Sequence, residues 1–246
     1  MRLLLDIGNT CTHAALVEKR IYKDKQFLTT EWTTDKMGVH LKRFIGRTKF
    51  TRALICSVVP TATQAARAWL RITKTKVIIL SHKNCGISID YPNPSTIGPD
   101  RLANALAVRS EFGSPAVVVD FGTAMTFDII NSQGNYTGGI IAPGLSAMTD
   151  YLHEKTALLP RIQLRNPKSA IGKSTEEAML IGAVHGYRGL VQALIKRVNT
   201  QIRARHLPVV ATGGHAKLLA KGIPEITAVR PRLTLEGLRI ASNTIN

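Results

Sequence analysis

The chain begins with an apolar run, Leu3 to Leu5, that meets a single acid at Asp6, turns on Gly8 and resumes an apolar-leaning stretch through Leu16. Alternating apolar patterns predict strands near residues 2–7, 12–18, 52–58 and 76–80, and helical spacing predicts helices near 34–46 and 60–73. The segment "TIGPDRLANALAVRSEF" reads as a loop entering a helix, because Gly98 precedes Pro99 and proline suits the first helical position. Gly113 to Pro115 is the best domain boundary, giving expected domains of residues 1–113 and 114–246. Beyond it, strands near 116–121, 124–131 and 136–141 form a meander, followed by helices near 144–154 and 174–200. Leu207 to Gly222 reads as strand, glycine turn and helix, and Thr234 to Ile245 as a final helix.

The opening stretch recurs. "VVVDFGTAMTFDII", Val117 to Ile130, aligns with it at an offset of 114 residues, setting Asp6 on Asp120, Gly8 on Gly122 and Thr12 on Thr126. Read alone, Asp6 to Thr10 is an ordinary hairpin turn, since Gly, Asn and Asp accept turn conformations. Read twice, the pattern of apolar strand, acid, glycine, hydroxyl and second strand predicts two halves built on one device.

Composition narrows the class. A chain of 246 residues that is 44% hydrophobic and 5% aromatic is an ordinary globular protein, long enough for two small cores. It has no signal-peptide pattern at its start and no uninterrupted apolar run of about 18 residues, so a cytoplasmic protein with no membrane span is expected. Cys11, Cys56 and Cys85 are odd in number, lack metal-binding spacing and read as reduced thiols. The net charge of +17 raises nucleic acid as a partner. The excess is +10 over residues 1–76, −3 over 77–160 and +10 over 161–246, so it avoids the motif-rich middle. Aromatic residues do not interleave with the basic ones as single-strand binding requires, which argues against nucleic acid as the principal partner. A positive field also suits small anionic substrates.

Gly8, Asn9 and Thr10 set small side chains and backbone N–H groups at a hairpin mouth, where a phosphate can approach closely. Asp6 would repel that phosphate unless it addresses Mg²⁺ or its water shell. Gly122 and Thr123 repeat the device, and two such loops facing a cleft would clamp a polyphosphate. "TGG", Thr212 to Gly214, adds a third glycine element between a strand and a helix. Together they point to the superfamily of actin, sugar kinases and chaperone ATPases. "GKS", Gly172 to Ser174, is not a P-loop, because Pro167 stands where that motif needs glycine. Ser174 and Glu177 instead match a helix capping box.

In order and spacing, "DIGNT" (6–10), "YPNPSTIGPDR" (91–101), "DFGTAMT" (120–126), "GGIIAPG" (138–144), "IGKSTEEA" (171–178), "TGG" (212–214) and "LTLEGL" (233–238) resemble the type III pantothenate kinases. The resemblance runs nearly end to end. It implies an α/β fold of two tandem actin-like (ribonuclease H-like) domains with an interdomain ATP cleft. It also implies ATP-dependent phosphorylation of pantothenate, the first step toward coenzyme A, by a cytoplasmic homodimer needing Mg²⁺ and a monovalent cation, K⁺ or NH₄⁺. Carried over residue by residue, Asp6, Ile7, Gly8, Asn9, Thr10, Cys11, Thr12 and His13 would form the first ATP-phosphate loop, and Thr123 the second. Asp120 would bind the monovalent cation. Tyr91, Gly98, Pro99, Asp100, Arg101 and Thr175 would contact pantothenate, with Asp100 as catalytic base. Pro99 stands where alanine is frequent in the family, and His13 where lysine is common, which leaves the role of the His13 side chain open.

Two alternatives stand beside this reading. One is a catalytically silent regulatory or nucleic-acid-associated member of the family, against which the intact Asp6, Asp100, Arg101 and Asp120 argue. The other is a kinase of a different small acceptor, since a fold does not fix its substrate.

Overall fold

The computed structural model describes residues 1–34 and 36–245; Asp35, inside the helix expected over 34–46, and Asn246 lie outside the described residues. The chain divides into two compact units, one of residues 1–111 and 232–246, the other of residues 112–231.

In the first unit, β1 (Arg2–Ile7), β2 (Cys11–Val17) and β3 (Ile21–Leu28) form an antiparallel meander. After α1 (Lys36–Ile45), β4 (Arg52–Ser57) joins the other side of β1 in parallel. After α2 (Pro60–Ile72), β5 (Lys76–Ile79) follows β4, giving the order β3-β2-β1-β4-β5. β3 was not foreseen. Its sequence, IYKDKQFL, carries charges on both faces, as suits an edge strand that must resist further pairing.

The period of two along β1 sorts its residues. Leu3, Leu5 and Ile7 enter a core with Met37, Leu41 and Phe44 of α1 and Ala62, Ala66 and Leu70 of α2. Leu4 and Asp6 therefore face the opposite side of the sheet. That side is met by α7 (Leu233–Thr244), which packs on β1, β2 and β4. The final helix thus belongs with the first unit, although it follows the whole of the second in sequence; the division expected at residue 113 had put it with the second. Gly237 is the reason it fits so closely: a Cβ there would overlap the backbone of Ala103 in α3 (Pro99–Phe112). Thr234 Oγ1 adds a hydrogen bond of 2.9 Å to buried Asn104 Oδ1.

The second unit repeats the plan. β6 (Ala116–Phe121), β7 (Ala124–Ile130) and β8 (Tyr136–Pro143) form the meander. α4 (Leu145–Lys155) and α5 (Thr175–Ile202) precede β9 (Val209–Thr212), which joins β6 in parallel. After α6 (Ala216–Ala220), β10 (Ala228–Val229) completes the order β10-β9-β6-β7-β8. α5 is long and apolar enough to cross a membrane by length and composition. Ala183, Tyr187, Val191, Ile195 and Val198 instead pack into this unit's core with Val117, Val119 and Phe121.

The repeat differs from the sequence alignment in one respect. Asp6 pairs with His13 and Ile7 with Thr12, whereas Asp120 pairs with Thr126 and Phe121 with Met125. The second turn is one residue shorter, so the structural counterpart of Thr12 is Met125, not Thr126.

Candidate active site

In the first unit the β1–β2 turn closes with Gly8 N–H donating to Cys11 O at 3.0 Å. Asn9, Thr10 and Cys11 are exposed and Gly8 is half-buried, while Ile7 and Thr12 are fully buried. The loop thus offers solvent its backbone and three small side chains, and Ile7 and Thr12 serve it from within. The His13 ring has a definite partner: Nε2 lies 2.8 Å from Asp24 Oδ2, and the other oxygen of Asp24 accepts from Arg232 Nη2 at 2.8 Å. This bridge ties β2 and β3 to the residue preceding α7. It accounts for the histidine as part of the framework beside the loop.

Asp6 has as its parallel neighbour Cys56 on β4, and the two side chains share the face turned toward α7. The thiol is wholly buried and hydrogen-bonds Asp6, and Asp100 also acts on it. Burial, then the charges of Asp6 and Asp100, push the Cys56 thiol well above its ordinary pKa. It therefore stays a neutral S–H beside Asp6. Asp6 and Asp100, 94 positions apart in sequence, both act on this one thiol.

Asp100 sits in the first turn of α3, where the helix dipole favours a carboxylate. Its Oδ1 accepts from the N–H of Arg101 at 2.9 Å. A Cβ on residue 98 would overlap that oxygen, so Gly98 leaves the carboxylate its room. Burial raises the Asp100 pKa, opposed by the backbone N–H and the guanidinium of Arg101. Pro99 opens the helix, and Tyr91 lies exposed in the preceding loop.

In the second unit, half-buried Asp120 and exposed Thr123 flank Gly122 at the β6–β7 turn. Two further glycines close on that turn. A Cβ on Gly144, the N-cap of α4, would overlap the carbonyls of Gly122 and Thr123. A Cβ on Gly213, whose φ is +90°, would overlap Asp120 Oδ1 and the Phe121 backbone. His215 N–H donates to Phe121 O at 3.2 Å, and its Nε2 lies 3.0 Å from Ser146 Oγ, joining the "TGG" loop to the start of α4. Tyr187 donates to Pro143 O at 2.9 Å, and burial pushes its hydroxyl up to about 12. Thr175 is the first residue of α5 and is exposed. Ser174 accepts from Glu177 N–H at 3.2 Å, while the Glu177 carboxylate accepts from Lys173 N–H at 2.8 Å, the expected capping box with its reciprocal bond shifted by one residue.

Cys56 and Gly144 were not singled out as site residues from sequence, whereas Gly213 lies in the "TGG" element that was. Only the glycines had a signal, in "GGIIAPG" and "TGG"; a lone cysteine in a buried strand has none. Among the described residues no group of three or more His, Cys, Asp or Glu side chains is arranged to hold a metal ion by itself.

Two five-stranded sheets, each an antiparallel meander extended by parallel strands, define the actin-like α/β fold of the sugar kinases and related ATPases. The chain superposes at a TM-score of 0.64 on a candidate 2-dehydro-3-deoxygalactonokinase from Sinorhizobium meliloti, at 11% identity over 99% of this chain and 98% of that one. At the same score and 21% identity it matches a Campylobacter jejuni protein described as a candidate Baf family transcriptional activator, over 98% of this chain and 97% of the other. At these identities the likeness shows the fold alone.

The family model for type III pantothenate kinase matches residues 2–197. The type III pantothenate kinase of Akkermansia muciniphila is 44% identical over 240 residues, covering 98% of this chain and 97% of the relative. The chain belongs to the type III pantothenate kinase family.

Proposed function

We propose that the protein transfers the γ-phosphoryl group of ATP to the hydroxyl of pantothenate, in the cytoplasm, as the first step toward coenzyme A. The observation that carries this reading is that Asp6, from the acid–glycine hairpin, hydrogen-bonds the buried thiol of Cys56, while Asp100, from the start of α3, lies near enough for its charge to act on the same thiol. One carboxylate lies beside an exposed backbone loop of small residues and the other in a desolvated setting.

In the reaction so read, the acceptor hydroxyl oxygen forms a bond to the γ-phosphorus as the bond from that phosphorus to the β-bridging oxygen breaks, releasing ADP. Asp100 accepts the hydroxyl proton. Asn9 to Cys11 and Thr123 hold the phosphates through backbone and hydroxyl groups, and Tyr91, Gly98, Pro99, Arg101 and Thr175 contact the acceptor. The donor set suits a Mg²⁺ ion that keeps several waters and arrives with the nucleotide, needing only a carboxylate such as Asp6 rather than a cage of protein ligands. When bound, such an ion supplies neutralisation of phosphate charge.

The function is tested by ADP release with pantothenate against a panel of sugars and short hydroxy acids. Activity with another acceptor and none with pantothenate overturns the substrate assignment. ADP release with none of them favours the silent member. The Campylobacter protein's description gives that alternative no support, since the likeness reaches only the fold.

Asp120 is proposed as the monovalent-cation residue, supported by Gly213 drawn in against its carboxylate. Activity is expected to fall sharply when K⁺ and NH₄⁺ are replaced by Na⁺ or Tris. Unchanged activity removes Asp120 from this role.

A homodimer is also proposed. Met148, Tyr151 and Leu152 lie at i, i+3 and i+4 on α4 with Tyr151 61% exposed, and the apolar face they form supports this surface as the contact. Tyr151→Glu with Leu152→Glu is expected to convert a dimer to a monomer in light scattering. A dimer that persists points to another surface.

A further inference from the structure

The first phosphate loop is held from behind by four hydrogen bonds. Trp32 Nε1 lies 3.0 Å from Thr12 Oγ1, Thr12 Oγ1 lies 3.1 Å from Thr29 Oγ1, and Thr29 Oγ1 lies 2.7 Å from Gly8 O. Thr29 N–H donates to Thr10 O at 3.0 Å. All three side chains are buried, and Thr29 and Trp32 belong to the short 3₁₀ segment that follows β3.

The chemistry of the partners fixes the direction of every proton. The indole N–H only donates, so Thr12 accepts from it. A carbonyl only accepts, so the Thr29 hydroxyl proton goes to Gly8 O. Thr12 must then donate to Thr29. Each hydroxyl gives one proton and takes one, and the line of bonds runs one way, from indole to loop carbonyl. Bonds aligned in this manner polarise one another.

The carbonyl at the end of that line belongs to the same peptide unit as the N–H of Asn9, and that peptide is trans. Its N–H therefore points away from Thr29. The same holds for Cys11 N–H, whose peptide carbonyl, Thr10 O, accepts from the backbone of Thr29. Thr29 thus orients two alternate peptide planes of an exposed loop, Gly8–Asn9 and Thr10–Cys11. A bond accepted by a peptide oxygen also strengthens the donor at its other end.

The second half lacks the arrangement, because the counterpart of Thr12 there is the buried Met125. A device needed only to fold a hairpin onto its sheet would serve both halves equally. This one serves the first loop alone.

We infer that Thr29, with Thr12 and Trp32 behind it, is a positioning residue for nucleotide binding, aiming the Asn9 and Cys11 N–H groups at the phosphates of ATP. The inference rests on the kinase reading. Its test separates the two.

ATP affinity is measured by calorimetry, and by Trp32 emission in a Trp69→Phe background, which leaves a single indole. Thr29→Val keeps the shape and removes the hydroxyl. It is expected to raise the Kd and the KM for ATP on the order of tenfold, with the KM for pantothenate unchanged. Thr29→Ser restores the hydroxyl and should return both ATP constants to near wild type. Trp32→Phe removes the first donor and should weaken ATP binding less than Thr29→Val. Melting curves on each variant separate a loss of folding from a loss of affinity. Wild-type ATP affinity in folded Thr29→Val overturns the inference, as does a Thr29→Ser variant that folds but is not rescued. A wild-type protein that does not bind ATP overturns the kinase reading itself.

Discussion

Asp100→Asn is expected to lower kcat by about 10²- to 10⁴-fold, the usual contribution of a general base, while ATP still binds. The substitution keeps the shape of the side chain and its bond from Arg101 N–H, and removes the carboxylate proposed to take the proton. An aspartate is a weak base toward an alcohol. Phosphoryl transfer tolerates this, because its loose transition state asks mainly for alignment and charge stabilisation. Burial of Asp100 also makes it a stronger base than an exposed aspartate. The acid limb of the kcat/KM profile should therefore lie above the ordinary carboxylate range. Near wild-type turnover in folded Asp100→Asn would send the search for a base to Asp6 and Asp120.

The same shift has a consequence for stability. A carboxylate whose folded pKa is raised favours folding when protonated, and that contribution is complete below its unfolded pKa and lost as pH rises through the folded value. At neutral pH the ionised Asp100 therefore costs stability, as its proposed catalytic role would lead one to expect. Asp100→Asn should melt at or above the wild-type temperature there, and the advantage should vanish in acid.

Gly237→Ala is expected to be the most damaging change away from the loops. The added methyl would meet the carbonyl and Cα of Ala103, which are helix backbone and cannot rotate aside. Overpacking of this kind costs about 1–3 kcal/mol and occasionally more; contact with backbone puts the expected loss near ~3 kcal/mol, or a Tm lower by roughly 6–12 °C. Because α3 carries Asp100, the variant should also lose turnover below its melting temperature. A melting curve and turnover both equal to wild type would mean that α7 does not pack on α3 as described.

Much of this was legible beforehand. The apolar runs at Leu3–Ile7 and Val117–Phe121 each end in an acid and a glycine, and β1, β2, β6 and β7 fall where that pattern put them. α3 begins at Pro99, as the missing N–H of proline favours. These features are local: a strand's period, a proline's φ and a capping serine are set by neighbours within a few residues. The offset of 114 residues likewise foresaw two sheets of one design.

Other features depended on which residues meet across the sheets. β3 is polar on both faces and is a strand only because β2 supplies its partner. The shorter second turn changed the equivalence of Thr12 from Thr126 to Met125, since register is a property of pairs and not of either strand. Cys56 became the neighbour of Asp6 through parallel pairing, although the two lie 50 positions apart in sequence. The sequence by itself determined the elements, the duplicated hairpin and the acids at their ends, because short-range sterics and hydrophobic periodicity suffice for those. Only the tertiary structure decided that the last helix returns to the first sheet, that Thr29 and Trp32 stand behind the β1–β2 loop, and that Asp6 and Asp100 both act on one buried thiol. The physical reason is that these are contacts between distant segments, made where the folded sheets and helices bring side chains onto a common face.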